Sequence, residues 1–166
     1  MGTSIAESET RFRGDPAAAQ ATPTVTATLI NGRARLTTGN FNWESDLPAP
    51  LGGGNLGPSP TAYLLGALAG CAVAFLWDTL GPQFGVALDD IRAVASCRTD
   101  ARGLLGFPDV SPALADVRLE IEVSSSDPDD RVEAMLAAWR ERCPIYLALL
   151  QPNAIDLQAK VVATAA

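Results

Sequence analysis

Residues 51–71 read LGGGNLGPSPTAYLLGALAGC. A loop of glycine and proline gives way to a run of apolar and small residues at Ser59-Pro60. Serine is a favoured N-cap, and proline suits the first helical position, where its missing N–H costs nothing. The spacing predicts a helix from Pro60 to about Leu80, stopped by Gly81-Pro82. No charged residue stands between Asp46 and Asp78. A helix apolar on every side has to be covered on every side. A single small domain covers it only in part with its own sheet, so a second copy of the chain is expected to supply the rest. Gly66, Ala67, Ala69, Gly70, Ala72 and Ala74 would let another helix come close. The other reading is a tightly packed core helix within a monomer. The run at 61–77 is too short and too rich in Ala and Gly to read as a membrane span.

Working outward, the residues before this helix alternate as strands. TVTATLI (24–30), RARLTT (33–38) and FNWES (41–45) are separated by Asn31-Gly32 and Gly39-Asn40, which predicts a three-stranded meander. After the helix, Val86 to Arg98 reads as a strand with Ile91, Ala93, Ala95 and Cys97 on one face. A loop spans Gly103 to Pro112. In ADVRLEIEVS (115–124), Val117, Leu119, Ile121 and Val123 alternate with charged residues, the pattern of a half-buried strand. Asp127 reads as the cap of a second helix and Pro128 as its first turn. Val132, Met135, Leu136, Trp139 and Cys143 share one face of that helix, and Pro144 ends or kinks it. NAIDLQAKVVA (153–163) closes the chain as an alternating strand. The order β-β-β-α-β-β-α-β makes an α+β fold with largely antiparallel pairing. Residues 1–22 read as a mobile leader and 23–166 as a single domain.

Composition narrows the function. The chain has 166 residues, 48% hydrophobic and 19% charged, with a net charge of −7. That balance fits a globular protein and argues against a nucleic-acid backbone or an anionic membrane as partner. With no signal sequence legible, the chain is expected to be cytoplasmic. There is no histidine, which excludes Ser-His-Asp and Cys-His sites. Three cysteines on separate elements, without a CxxC, make a poor metal set, and no metal or other cofactor is expected. Taken alone, each cysteine reads as a small buried hydrophobe, and Cys97 is assigned to the core.

The paired patterns LGGGNLGPSPTAYLLGALAGC (51–71) and ERCPIYLALL (141–150) resemble the OsmC/Ohr family of hydroperoxide-reducing proteins, over roughly residues 24–163. The resemblance implies an intertwined homodimer with the central helices buried between two sheets. It implies that Cys71 is a peroxidatic thiolate, oxidised by an organic hydroperoxide to a sulfenic acid. Cys143 would be the resolving cysteine, and a dithiol reductant would reopen the disulfide. Two departures stand out. Thr61 and Ala62 follow Pro60 where the family places a glutamate, and Ile30 stands where its hairpin arginine aligns. Arg33 and Arg35, on one face of the second strand, are then the candidates for activating the thiolate, with Glu44 a possible holder. Arg140 and Arg142, flanking Cys143, are further candidates. Each of these arginines also reads as an ordinary solvated side chain. The alternative function is a non-catalytic dimer that binds a small apolar ligand, with Trp43, Tyr63, Phe75 and Trp139 around a pocket floored by Cys71.

Overall fold

The computed structural model describes residues 4–151 and 154–162. Within the leader, Ile5–Gly14 forms helix α1, closed at its start by a reciprocal capping box between Ser4 and Glu7 and burying none of its residues. Residues 1–3 of that leader lie outside the described residues. Strands β1 (Thr26–Ile30), β2 (Arg33–Thr38) and β3 (Phe41–Ser45) form the expected antiparallel meander. Asn31 and Gly32 both take positive φ, 51° and 78°, as a two-residue hairpin turn requires. Every residue of β1 is exposed.

The loop from β3 to the long helix is organised by Asp46. Its carboxylate accepts the N–H groups of Leu47, Gly54 and Leu56 at 2.8–3.0 Å. Those bonds, the Leu56 N–H foremost, hold the carboxyl below its ordinary value. The Ser45 hydroxyl and the Asp46 N–H both reach the Pro58 carbonyl. The chain turns so tightly that a Cβ on Gly53 would stand 1.9 Å from the Leu47 carbonyl oxygen.

Helix α2 runs Pro60–Phe75, with the Ser59 hydroxyl accepting the Ala62 N–H as its cap. Gly81-Pro82 does not stop it. One wide π-turn spans Leu76–Leu80, in which the Gly81 N–H bonds the Leu76 carbonyl, and a further turn, α3 (Gly81–Phe84), carries the helix on. The wide turn shifts the ladder just where Pro82 brings no donor, so the proline is tolerated. Gly85, at φ 62°, ends the run. Strands β4 (Leu88–Arg98) and β5 (Ala115–Ser125) pair antiparallel, with the short helix α4 (Ala101–Leu104) in the connection between them. Ile91, Ala93, Ala95 and Cys97 share the covered face of β4, whereas Val117 is exposed rather than inward-facing. It follows Asp116, whose φ of 51° breaks the regular pleat.

Helix α5 spans Asp129–Arg142 and α6 spans Pro144–Leu150. Asp127 is not the cap of α5. Its carboxylate is taken by the Ala87 N–H and the Arg131 guanidinium, tying the start of β4 to the helix. The core lies between the inner face of β4–β5 and the helices. Ala72, Leu76 and Leu80 pack there with Val86, Met135, Ala138, Trp139 and Cys143. The closing strand is not formed. Residues 154–162 have no ladder partner, and Ile155, Leu157 and Val161 are 87%, 84% and 103% exposed. An alternating segment becomes a strand only when an edge pairs with it. Asn153 and Ala163, the ends of that expected strand, lie outside the described residues.

Gly53→Ala is expected to lower the melting temperature by about 5 °C or more, because a backbone oxygen rather than a side chain fills the Cβ position. Thermal unfolding followed by circular dichroism measures it, with Gly14→Ala, where nothing stands within 4 Å, as the control.

Candidate active site

The two helical cysteines meet where α2 crosses the joint between α5 and α6. Cys143 is fully buried at that joint, with φ −68° and ψ 112°, outside the helical region. Pro144 disfavours a helical residue before it and takes the first position of α6. Cys143 therefore closes one helix and opens the next. Its N–H donates to the Trp139 carbonyl at 2.9 Å, and its Sγ accepts the Tyr146 N–H at 3.5 Å. The Cys143 and Cys71 Sγ atoms stand 3.2 Å apart in hydrogen-bond contact. Both thiols are free. A disulfide needs about 2.05 Å between sulfurs, so only a short closure separates the pair from one.

Burial pushes the half-buried Cys71 thiol up to about 11, against an ordinary value of 9.0. The hydrogen bond with the Cys143 thiol, and the charge Cys143 could carry, push the same way, while the Ile145 N–H acts against them.

No arginine is among the groups acting on Cys71. Arg33 Nε lies 3.2 Å from Glu44 Oε2, so Glu44 does hold one of the hairpin arginines. That Nε is buried without a well-formed hydrogen bond. Arg35 donates to Asn42 Oδ1 at 3.1 Å. Arg142 reaches Gln83 Oε1 at 3.4 Å and stands over the Phe84 ring. Arg140 lines a cavity beside Trp139 and Tyr146.

The four aromatic candidates fall in separate contacts within the chain. Trp43 and Tyr63 pair with ring centroids 6.5 Å apart, and the Tyr63 hydroxyl donates to the Glu44 carbonyl. Trp139 pairs with Tyr146 at 5.2 Å, and Phe75 packs against the core. The cavity that Trp139 lines includes neither Trp43, Tyr63, Phe75 nor Cys71.

Sequence reasoning missed three contributors. Asp46 clasps the loop before α2, and its signal was its place as the last charge before the uncharged run. The N–H groups of Ile145 and Tyr146 act on the two sulfurs, and the signal was Pro144, which makes Cys143 a cap.

A family model described as OsmC-like protein matches residues 52–158. Among solved structures, an OsmC-like protein from Mycoplasma pneumoniae is 18% identical with a TM-score of 0.66, covering 80% of this chain and 90% of its own. An organic hydroperoxide resistance protein from Legionella pneumophila is 21% identical with a TM-score of 0.57, covering 78% and 91%. An OsmC-like protein of unknown function from Vibrio cholerae is 10% identical with a TM-score of 0.59, covering 78% and 94%. At these identities the likeness is one of fold. No curated protein matches the chain in sequence.

The raised Cys71 pKa sets a stability profile. The folded state holds the thiol proton more tightly than the unfolded state, so this contribution is present below pH 9.0 and fades as pH climbs toward about 11. Urea midpoints of the reduced protein are expected to fall across that window more steeply than those of Cys71→Ala. Parallel profiles would contradict the assignment.

Proposed function

The chain belongs to the OsmC-like protein family, and from that premise we propose that it reduces organic hydroperoxides with a cysteine pair, Cys71 attacking and Cys143 resolving. The observation that carries the proposal is the 3.2 Å separation of the two sulfurs inside this fold. The Cys71 thiolate attacks the distal peroxide oxygen, the O–O bond breaks, and the alcohol leaves with a proton. The sulfenic acid then reacts with Cys143, releasing water and forming the disulfide. A dithiol reductant restores both thiols and becomes a disulfide itself. The cytoplasm, where thiols stay reduced, suits an enzyme that rests with both cysteines free.

One observation favours the second reading, a non-catalytic dimer that keeps the fold and binds a small apolar ligand. The Cys71 thiol is pushed up to about 11 with no arginine beside it, whereas a peroxidatic cysteine works as its thiolate. A homodimer serves both readings. Pro60–Phe84 is long and apolar enough to cross a membrane, yet most of its apolar window is uncovered in one chain. Ala62, Gly66, Gly70, Ala74 and Trp77, three and four residues apart, form an exposed stripe along it. A second copy would cover that stripe and could bring an arginine to the thiol.

Two experiments test this. Reduced protein mixed with an equimolar amount of cumene hydroperoxide, quenched early and mapped by mass spectrometry, should yield a Cys71–Cys143 disulfide; thiols that stay reduced for minutes sink the enzyme reading. Gly70→Leu, open to solvent in the single chain, should shift the protein from dimer to monomer in analytical ultracentrifugation. An unchanged dimer would place the interface elsewhere.

A further inference from the structure

Behind Cys143 lies a cavity of about 250 Å³, separate from the sulfur pair. Leu119 and Ile121 of β5, Leu136, Trp139 and Arg140 of α5, and Tyr146 of α6 line it. Its apolar wall is continuous with the core, because Leu119, Ile121, Leu136 and Tyr146 all pack against the buried cluster containing Trp139. Two polar groups stand at this wall. Arg140 makes no ion pair or hydrogen bond among the described residues, and the Tyr146 hydroxyl has no partner there. The other arginines of α5 behave differently: Arg142 is held by Gln83, and Arg131 by Asp127. A recess walled by apolar side chains on one part and polar surface on the rest, with one free cation and one free hydroxyl, has the make-up of a small-ligand site.

We propose that this recess binds a small organic anion, an apolar body with one carboxylate, its carboxylate meeting Arg140 and Tyr146 and its body lying between β5 and the Trp139–Tyr146 pair. The site reaches the cysteine chemistry through the packing of Trp139 and Tyr146 around Cys143 and through the backbone. Trp139 and Tyr146, two of its walls, are the residues whose carbonyl and N–H bracket Cys143 at the α5–α6 joint. An occupant stiffens that joint and opposes the movement that Cys143 Sγ makes to close on Cys71. Binding itself does not depend on the peroxidase proposal, because neither sulfur lines the recess.

Calorimetric titration of the reduced full-length protein with 4-phenylbutyrate, without peroxide, tests the site. Saturable binding is expected, weakened about tenfold or more in Arg140→Glu, as loss of a charge-assisted contact gives. The uncharged 4-phenylbutanol should bind wild type more weakly and be indifferent to Arg140→Glu. Arg140 is exposed, so the variant should fold normally, and its circular dichroism checks that. Leu136→Trp, which fills the recess, should abolish binding of both compounds. No saturable heat in wild type, or equal affinity in wild type and Arg140→Glu, overturns the proposal. A bound-state slowing of Cys143 alkylation in denaturant-free buffer would support the link to the joint, and an unchanged rate with saturated protein would remove it.

Discussion

Everything in this structure hangs on the contact between α2 and the α5–α6 joint. Ala72, Leu76 and Leu80 on one side, and Met135, Trp139 and Cys143 on the other, are among the most buried residues of the chain. Burying a leucine or methionine side chain stabilises by roughly 1.5–3 kcal/mol, so this one seam is a large share of what a domain of this size needs to stay folded. The same seam sets the geometry of the cysteines. Cys71 is one residue before Ala72, and Cys143 is itself part of the packing. The sulfurs lie 3.2 Å apart because two helices are zipped together next to them, and no mobile segment has to bring them there.

Most of the architecture could be read along the chain. Asn31-Gly32, Ser59-Pro60 and the alternation of 115–124 are local signals, and each depends on backbone geometry or a periodicity that neighbouring elements do not overrule. What could not be read were choices made between distant residues. Asp127 looks like a helix cap, but Ala87 offers its N–H from forty residues away and takes the carboxylate. Gly81-Pro82 looks like a stop, but the widened turn Leu76–Leu80 directly before it absorbs the proline. Residues 154–162 carry a strand's alternation without an edge to pair with.

The candidate site divides in the same way. The closeness of Cys71 and Cys143 was legible through a resemblance of motifs; their sulfurs lie 3.2 Å apart, and their roles in a reaction belong to the proposal. The roles of the arginines were not legible, since alternation fixes a face and not a partner. Arg33 and Arg35 do share a strand face, and they are engaged by Glu44 and Asn42. The aromatics were not legible as partners either: Trp43 pairs with Tyr63 and Trp139 with Tyr146, contacts that no local pattern encodes.

The seam that holds the sulfurs together also opposes their chemistry. Sealing Cys71 against α6 removes water that would stabilise a thiolate, and a neighbouring thiol adds to the cost of ionising it, which is why its pKa climbs to about 11. Geometry and ionisation therefore pull in opposite directions within a single chain. The groups that could reconcile them must carry positive charge or donate hydrogen bonds, and among the described residues the donors at the sulfurs are the Cys143 thiol and backbone N–H groups at the start of α6. The uncovered stripe of α2 passes along the same helix as Cys71, with Gly66 and Gly70 leaving room beside it. Gly70 of that stripe is the residue before Cys71, so a second copy packed on the stripe would stand beside the thiol. On the proposed dimer, assembly and reactivity would be one question: the surface that completed the packing of α2 would also be the surface from which a charge could reach the sulfur.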